Sequence, residues 1–264
     1  MIPRAHITHW RAHAPWPSDA QVEQDLILSR ILVHLFEDPL LRDAVAFRGG
    51  TALHKLYCHP PARYSEDIDL VQIPREPIGR VAGRIREVLQ PLLGNPSFRS
   101  GGHGFTYFYR YVPEDPAVQS MRIKIEINGR EHESRFGHAV FPYAIESPWF
   151  TGACEITTFA LEELLGTKLR ALHQRRKGRD LFDLHHARQA HAYDDAAVID
   201  AFLFYLRKEG RDVRRDEFAR TFREKLAHKQ FLADVRVLLR RDVPFDLDEA
   251  ASYVLEVLLP LLPA

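Results

Sequence analysis

The sequence predicts an α+β fold, a mixed α/β half followed by a helical half, and three observations predict it. Short apolar runs alternate with helical patterns up to about residue 155. Beyond that point strand signals stop, and the apolar residues recur at helical spacing. A length of 264 residues leaves room for one large or two modest domains. The expected division is a first domain over residues 1–155 and a second over 156–264.

The elements follow in order. Residues 16–39 read as a helix, with Ser18 as N-cap and Gln21 three residues on as the partner of a capping box. Val22, Leu26, Ile27, Ile31, Leu32 and Phe36 supply its apolar stripe, and Pro39 marks its end. "AVAF" is a short buried strand that feeds Gly49-Gly50, and "TALHKLYC" is a short helix. "DIDLVQI" is a strand, and "IGRVAGRIREVLQPLL" a helix closed near Gly94. "GFTYFYRYV" and "RIKIEIN" alternate as strands do. Five helical stretches follow, from "TFALEELLGTKLRALHQRR" to "DLDEAASYVLEVLLPLL".

Composition excludes several classes. Lys plus Arg and Asp plus Glu both total 36, so overall charge selects no partner. Two cysteines, Cys58 and Cys154, rule out a disulfide scaffold and suit a reducing cytosol. No apolar run reaches membrane-spanning length, and "MIPRAHITHWRAH" lacks the apolar core of a signal peptide. A cytoplasmic protein with no membrane partner is expected.

The chemistry centres on Asp67 and Asp69. Alternate residues of a strand point the same way, so these two carboxylates share one face while Ile68 and Leu70 share the other. Paired carboxylates repel, and a divalent cation such as Mg²⁺, which takes oxygen ligands, relieves the repulsion. Two solvated acids on an exposed strand are the plainer alternative, weakened by the rarity of Asp in strands. In "RIKIEIN", Arg122, Lys124 and Glu126 share a face. If that strand lies beside the Asp strand, Glu126 completes a three-carboxylate site able to hold two ions about 3.5–4 Å apart; otherwise it is an ordinary amphipathic strand. Gly49 and Gly50 let backbone approach a ligand closely, and the helix after them offers N–H groups to phosphate. Thr51, Arg63 and Ser65 stand ready to contact the same phosphates.

Lys168 falls in the middle of a stripe made by Leu161, Leu164, Leu165 and Leu172. It is either a snorkelling edge residue or a cation aimed at a cleft between the domains. Asp180 and Asp183 share a helix face one turn apart; either can hold Lys168 or accept a proton. Residues 207–241 hold 12 basic and 6 acidic side chains, which reads as a solvated helical surface or as a nucleic-acid contact. His185, His186 and the "EHE" at 131–133 show no metal-ligand spacing.

"FRGGTALHKLY…RYSEDIDL" resembles the first motif of the AbiEii/AbiGii-type nucleotidyltransferase toxins, within the polymerase-β-like nucleotidyltransferase superfamily. "ELLGTKLRALHQRRKGRDLFDL" resembles their second signature, and the likeness spans roughly residues 20–190. It implies a nucleotidyltransferase domain followed by a helical domain that completes the cleft. It implies Mg²⁺ at Asp67, Asp69 and a third carboxylate, for which Glu126 stands, with an NTP as co-substrate. Gly49, Gly50 and Thr51 would cradle phosphates, Lys168 would contact the triphosphate, and Asp180 would be the downstream catalytic acid. The wider superfamily has Gly-Ser where this chain has Gly49-Gly50, so Thr51 would replace a serine contact. The likeness further implies a toxin of a two-gene phage-defence system, an antitoxin from a neighbouring gene, and an RNA acceptor such as the tRNA end. Transfer to a small-molecule or protein hydroxyl, or a non-catalytic nucleotide-binding module, are the alternatives.

Overall fold

A computed structural model describes residues 2–101, 104–240 and 242–263. The chain divides into two units, Met1–Phe159 and Ala160–Ala264. In the first, a short helix α1 (Arg4–Trp10) precedes α2 (Asp19–Glu37). The predicted capping box is present: the Ser18 hydroxyl accepts from the Gln21 N–H, and the Gln21 side chain accepts from the Ser18 N–H. All six residues of the predicted stripe are buried. Helix α3 (Pro39–Ala44) leads into β1 (Val45–Arg48), and α4 (Gly49–Ala52) continues as a π-helical turn, Leu53–Tyr57. Then come β2 (Asp67–Gln72), α5 (Gly79–Leu93), β3 (Ser97–Gly101), β4 (Gly104–Tyr111) and β5 (Met121–Asn128). β6 (His138–Glu146) and β7 (Thr151–Phe159) close the unit.

The strands form one sheet in the order β3-β4-β5-β2-β1-β7-β6, which makes β2 the central strand. β2 runs antiparallel to β1 and parallel to β5. Ile68, Leu70, Ile123, Ile125 and Ile127 are almost wholly buried, as the alternation predicts. Helix α2 lies against β7 and α5, and the Tyr107 hydroxyl donates to the Ala82 carbonyl to seat α5 on β4.

The expected boundary at 155/156 falls inside β7. That strand runs on to Phe159, and the Thr158 hydroxyl donates to the Phe47 carbonyl of β1 at 2.6 Å.

A buried ionic cluster anchors α2. The Asp25 carboxylate accepts from Lys55 Nζ at 3.0 Å and from the indole N–H groups of Trp10 (2.9 Å) and Trp16 (3.2 Å). Lys55 also donates to the Ser29 hydroxyl at 2.8 Å. Every donor in this apolar setting thus meets an acceptor, which is the condition under which a buried charge is tolerated.

The second unit is helical. Its elements are α6 (Leu161–Gln174), α7 (Gly178–Ala190), α8 (Asp195–Lys208), α9 (Arg215–Leu226), α10 (Lys229–Arg236) and α11 (Leu247–Ser252). α11 continues through a π-helical turn, Tyr253–Leu258, and a 3₁₀ turn, Leu259–Leu261. The stretch "RDEFARTFREKLAHKQFLADVRVLL" is two helices rather than one, because the His228 ring accepts from the Gln230 N–H and starts α10. Gly166 lets α6 and α8 meet closely: a Cβ there would lie 2.6 Å from Cβ of Ala201. Among the described residues no helix is long and apolar enough to cross a membrane. Cys58 and Cys154 are free thiols.

Candidate active site

The strand alternation predicted from "DIDL" places Asp67 and Asp69 on one face of β2, both part-buried. The parallel register sets Asp69 beside Glu126 and Asp67 beside Lys124 on β5. Three carboxylates therefore meet on one sheet face, together with one ammonium. Lys124 Nζ lies 2.7 Å from Glu126 and 3.6 Å from Asp67. On the other side of Asp69 stands Arg48 of β1, whose guanidinium is ion-paired with Glu131.

Electrostatics follow from this crowding. Burial pushes the Asp69 carboxyl above its ordinary value, and Asp67 and Glu126 push it further; Lys124 and Arg48 pull the other way without cancelling them. Burial works to lower the Lys124 ammonium, but its bond to Glu126 and the charges of Asp67 and Asp69 win and raise it.

Gly49 has φ +84°, the left-handed region, and a Cβ there would collide with the Asp69 carboxylate oxygen. The glycine thus permits the turn and the close approach of Asp69 together. Gly49→Ala is expected to cost about 1–3 kcal/mol through backbone strain, and to displace Asp69. A urea midpoint and transfer rate equal to wild type would refute this.

Thr51 is buried, and its hydroxyl donates to the Asp67 carbonyl and pairs with the Ser65 hydroxyl at 2.7 Å. Both hydroxyls tie the start of β2 to α4. Arg63, expected at the phosphates, is buried, with its guanidinium donating to the Tyr64 carbonyl.

In the second unit the lysine helix and the "RDLFDL" run do meet. Lys168 Nζ lies 2.8 Å from Asp183 and 3.4 Å from Asp180, both of which are fully buried. Arg175, between α6 and α7, grips Asp180 with two bonds of 2.7 and 2.8 Å while its side chain stays half exposed. Asp180 therefore holds two cations in place. Lys225 is buried beneath the end of α6, donating to the Leu172 and His173 carbonyls. Burial, helped by Arg176, pushes its ammonium down to about 8.

Sequence reading missed Arg48, Arg175 and Lys225, and saw Lys124 only as a face-mate of Glu126. The signal for Arg175 was its distance of five residues from Asp180 across a turn.

The donors suit a hard divalent cation: carboxylate oxygens from two neighbouring strands, with only Lys124 and Arg48 to offset them. Among the described residues no three His, Cys, Asp or Glu side chains converge to metal-binding distance as they stand. Lys124 is the group drawn in between Asp67 and Glu126.

Comparison with known proteins agrees with this arrangement. Residues 30–257 match the family described as nucleotidyl transferase AbiEii toxin, type IV toxin–antitoxin system. No curated sequence matches the chain. Among solved structures, MenT4, a nucleotidyltransferase toxin from Mycobacterium tuberculosis H37Rv, is similar with a TM-score of 0.70 at 18% identity, over 100% of this chain and 91% of its own. JHP933 from Helicobacter pylori is similar with a TM-score of 0.58 at 20% identity, over 92% of each chain. At these identities the likeness carries the fold, while the family match reaches across most of the sequence. The chain belongs to the AbiEii family of nucleotidyltransferase toxins.

Proposed function

We propose that this protein is a Mg²⁺-dependent nucleotidyltransferase that moves a nucleoside monophosphate from an NTP to an RNA acceptor, the tRNA 3′ end, in the cytoplasm. It acts as the toxin of a phage-defence pair whose antitoxin comes from the neighbouring gene. The observation that carries the reading is the set Asp67, Asp69 and Glu126 on adjacent strands beside the Gly49 turn. A bound Mg²⁺ would supply charge stabilisation at the phosphates and at the attacking oxygen.

The chain's own residues do the rest. Asp67 and Asp69 hold the cation, with Glu126 as third carboxylate. Gly49 and Gly50 offer backbone N–H groups to phosphate; Thr51 contributes its N–H, since its hydroxyl is engaged. The acceptor hydroxyl oxygen bonds to the α-phosphorus, the bond to the β-phosphate breaks, pyrophosphate leaves, and the hydroxyl proton passes to Glu126. Lys168 and Arg175 attract the triphosphate, and Asp180 and Asp183 position them.

RNA is favoured over a small acceptor by the basic bias of residues 207–241, of which Arg241 lies outside the described residues. Several of these side chains are already engaged. Arg215 donates to the Pro260 and Leu262 carbonyls, and Lys225 is buried. Arg220 and Arg223 are exposed on α9 and are the better probes.

The test is incubation with each α-³²P-labelled NTP and total RNA. Label is expected in tRNA-sized RNA, to fall steeply with salt as phosphate contacts are screened, and to drop in Arg220→Glu/Arg223→Glu. Label on a small molecule or a protein, insensitive to salt, moves the acceptor to that class. No transfer to any acceptor overturns the reading.

A further inference from the structure

The three-carboxylate face was read from sequence as able to hold two divalent ions, yet the structure puts a lysine among the acids. Lys124 cannot leave that face, because its backbone lies in an interior strand between β4 and β2. Its ammonium bridges Glu126 and Asp67 at 2.7 and 3.6 Å. It is also more enclosed than either, at 26% side-chain exposure against 49% for Glu126 and 38% for Asp67. An ion bridging two carboxylates would occupy the same place.

We propose that the Lys124 ammonium replaces one of the two cations, so that this chain binds a single divalent ion, at Asp67 and Asp69. The inference deepens the proposed function and rests on it. Charge bookkeeping favours it: Lys124 offsets one of the three carboxylates, and the remaining two match the charge of one divalent ion. A second ion would have to displace the ammonium from Glu126 and share its site with a positive charge a few ångströms away, a repulsion that is strong wherever water is partly excluded. Lys124 is thus a positioning residue: it holds Glu126 and Asp67 in place permanently, where a second ion would do so only when bound.

The experiment counts Mn²⁺ bound per chain by electron paramagnetic resonance, on the full chain without nucleotide. Wild type is expected to bind one ion, Lys124→Met and Lys124→Gln two, and Lys124→Arg one, because the charge is restored. Lys124 is part-exposed, so both neutral variants should fold, which circular dichroism checks; two of them guard against a loss peculiar to one side chain. Two ions in wild type overturn the inference, as does one ion in both neutral variants. An absence of any bound Mn²⁺ in wild type removes the metal site itself and with it the proposed function. An equal, non-zero count in all variants leaves that function standing and sinks only the role of Lys124.

Discussion

Asp69→Asn is expected to lower nucleotidyl transfer by at least about 100-fold while leaving the metal-free protein as stable as wild type or more so. The rate loss follows from the several kcal/mol that a bound cation gives to developing charge, at about 1.4 kcal/mol per decade. The stability follows from the position of Asp69. Its folded-state carboxyl titrates above the ordinary value because it is buried beside Asp67 and Glu126. In the window between the unfolded and the raised folded value the native state binds the extra proton, so this contribution to stability is present at low pH and lost as pH rises. Asn has no charge to desolvate and lacks that dependence. In EDTA, between about pH 4 and pH 8, the wild-type melting temperature should therefore fall relative to that of the variant. Parallel curves would show that Asp69 is not crowded in this way, and wild-type turnover would remove it from the metal site. Asp67→Asn should lose activity similarly.

Asp25→Ala should destabilise the first unit by about 3–5 kcal/mol, the usual cost of removing one partner from a buried ion pair. Lys55 is buried against Asp25 and Ser29 and would keep an uncompensated charge. The Trp10 and Trp16 indoles would lose their acceptor in the same step, detaching α1 from α2. The double change Asp25→Ala/Lys55→Met should recover part of the loss, since the stranded charge goes with it. A urea midpoint for Asp25→Ala within error of wild type would show that water or another acceptor replaces the carboxylate.

The parts of the fold that were legible in the sequence are those governed by local rules. The Ser18–Gln21 capping box needs only four consecutive residues, and the alternation of Asp67 and Asp69 against Ile68 and Leu70 needs only one strand. β6 and β7 were not legible. "HAVFPYAIE" carries Pro142 and exposes most of one side, and "TGACEITTF" draws its burial from Gly and Thr rather than from large apolar groups. β3 is exposed throughout and gave no pattern. Of the site, the acids were visible because Asp is unusual in a strand. The partner of each acid was not, since strand order and register are non-local. Once β5 is known to lie beside β2, the position of Lys124 follows from its two-residue spacing to Glu126. Asp180 as a catalytic acid was an inference from likeness; the structure shows it gripped by Lys168 and Arg175, which suits a group that holds cations rather than one that takes a proton.

The central place of β2 also bears on when this toxin becomes dangerous during synthesis. Asp69 emerges from the ribosome early, but its neighbour Glu126 belongs to a strand that pairs only after α5, β3 and β4 have been made. The Lys168 cluster belongs to a unit that is translated later still. The contacts that define the acid face are thus of high contact order, and loop closure must precede them. A ribosome-bound or truncated chain ending before β5 carries the first motif in full and has no assembled acid face, so premature termination yields a harmless fragment.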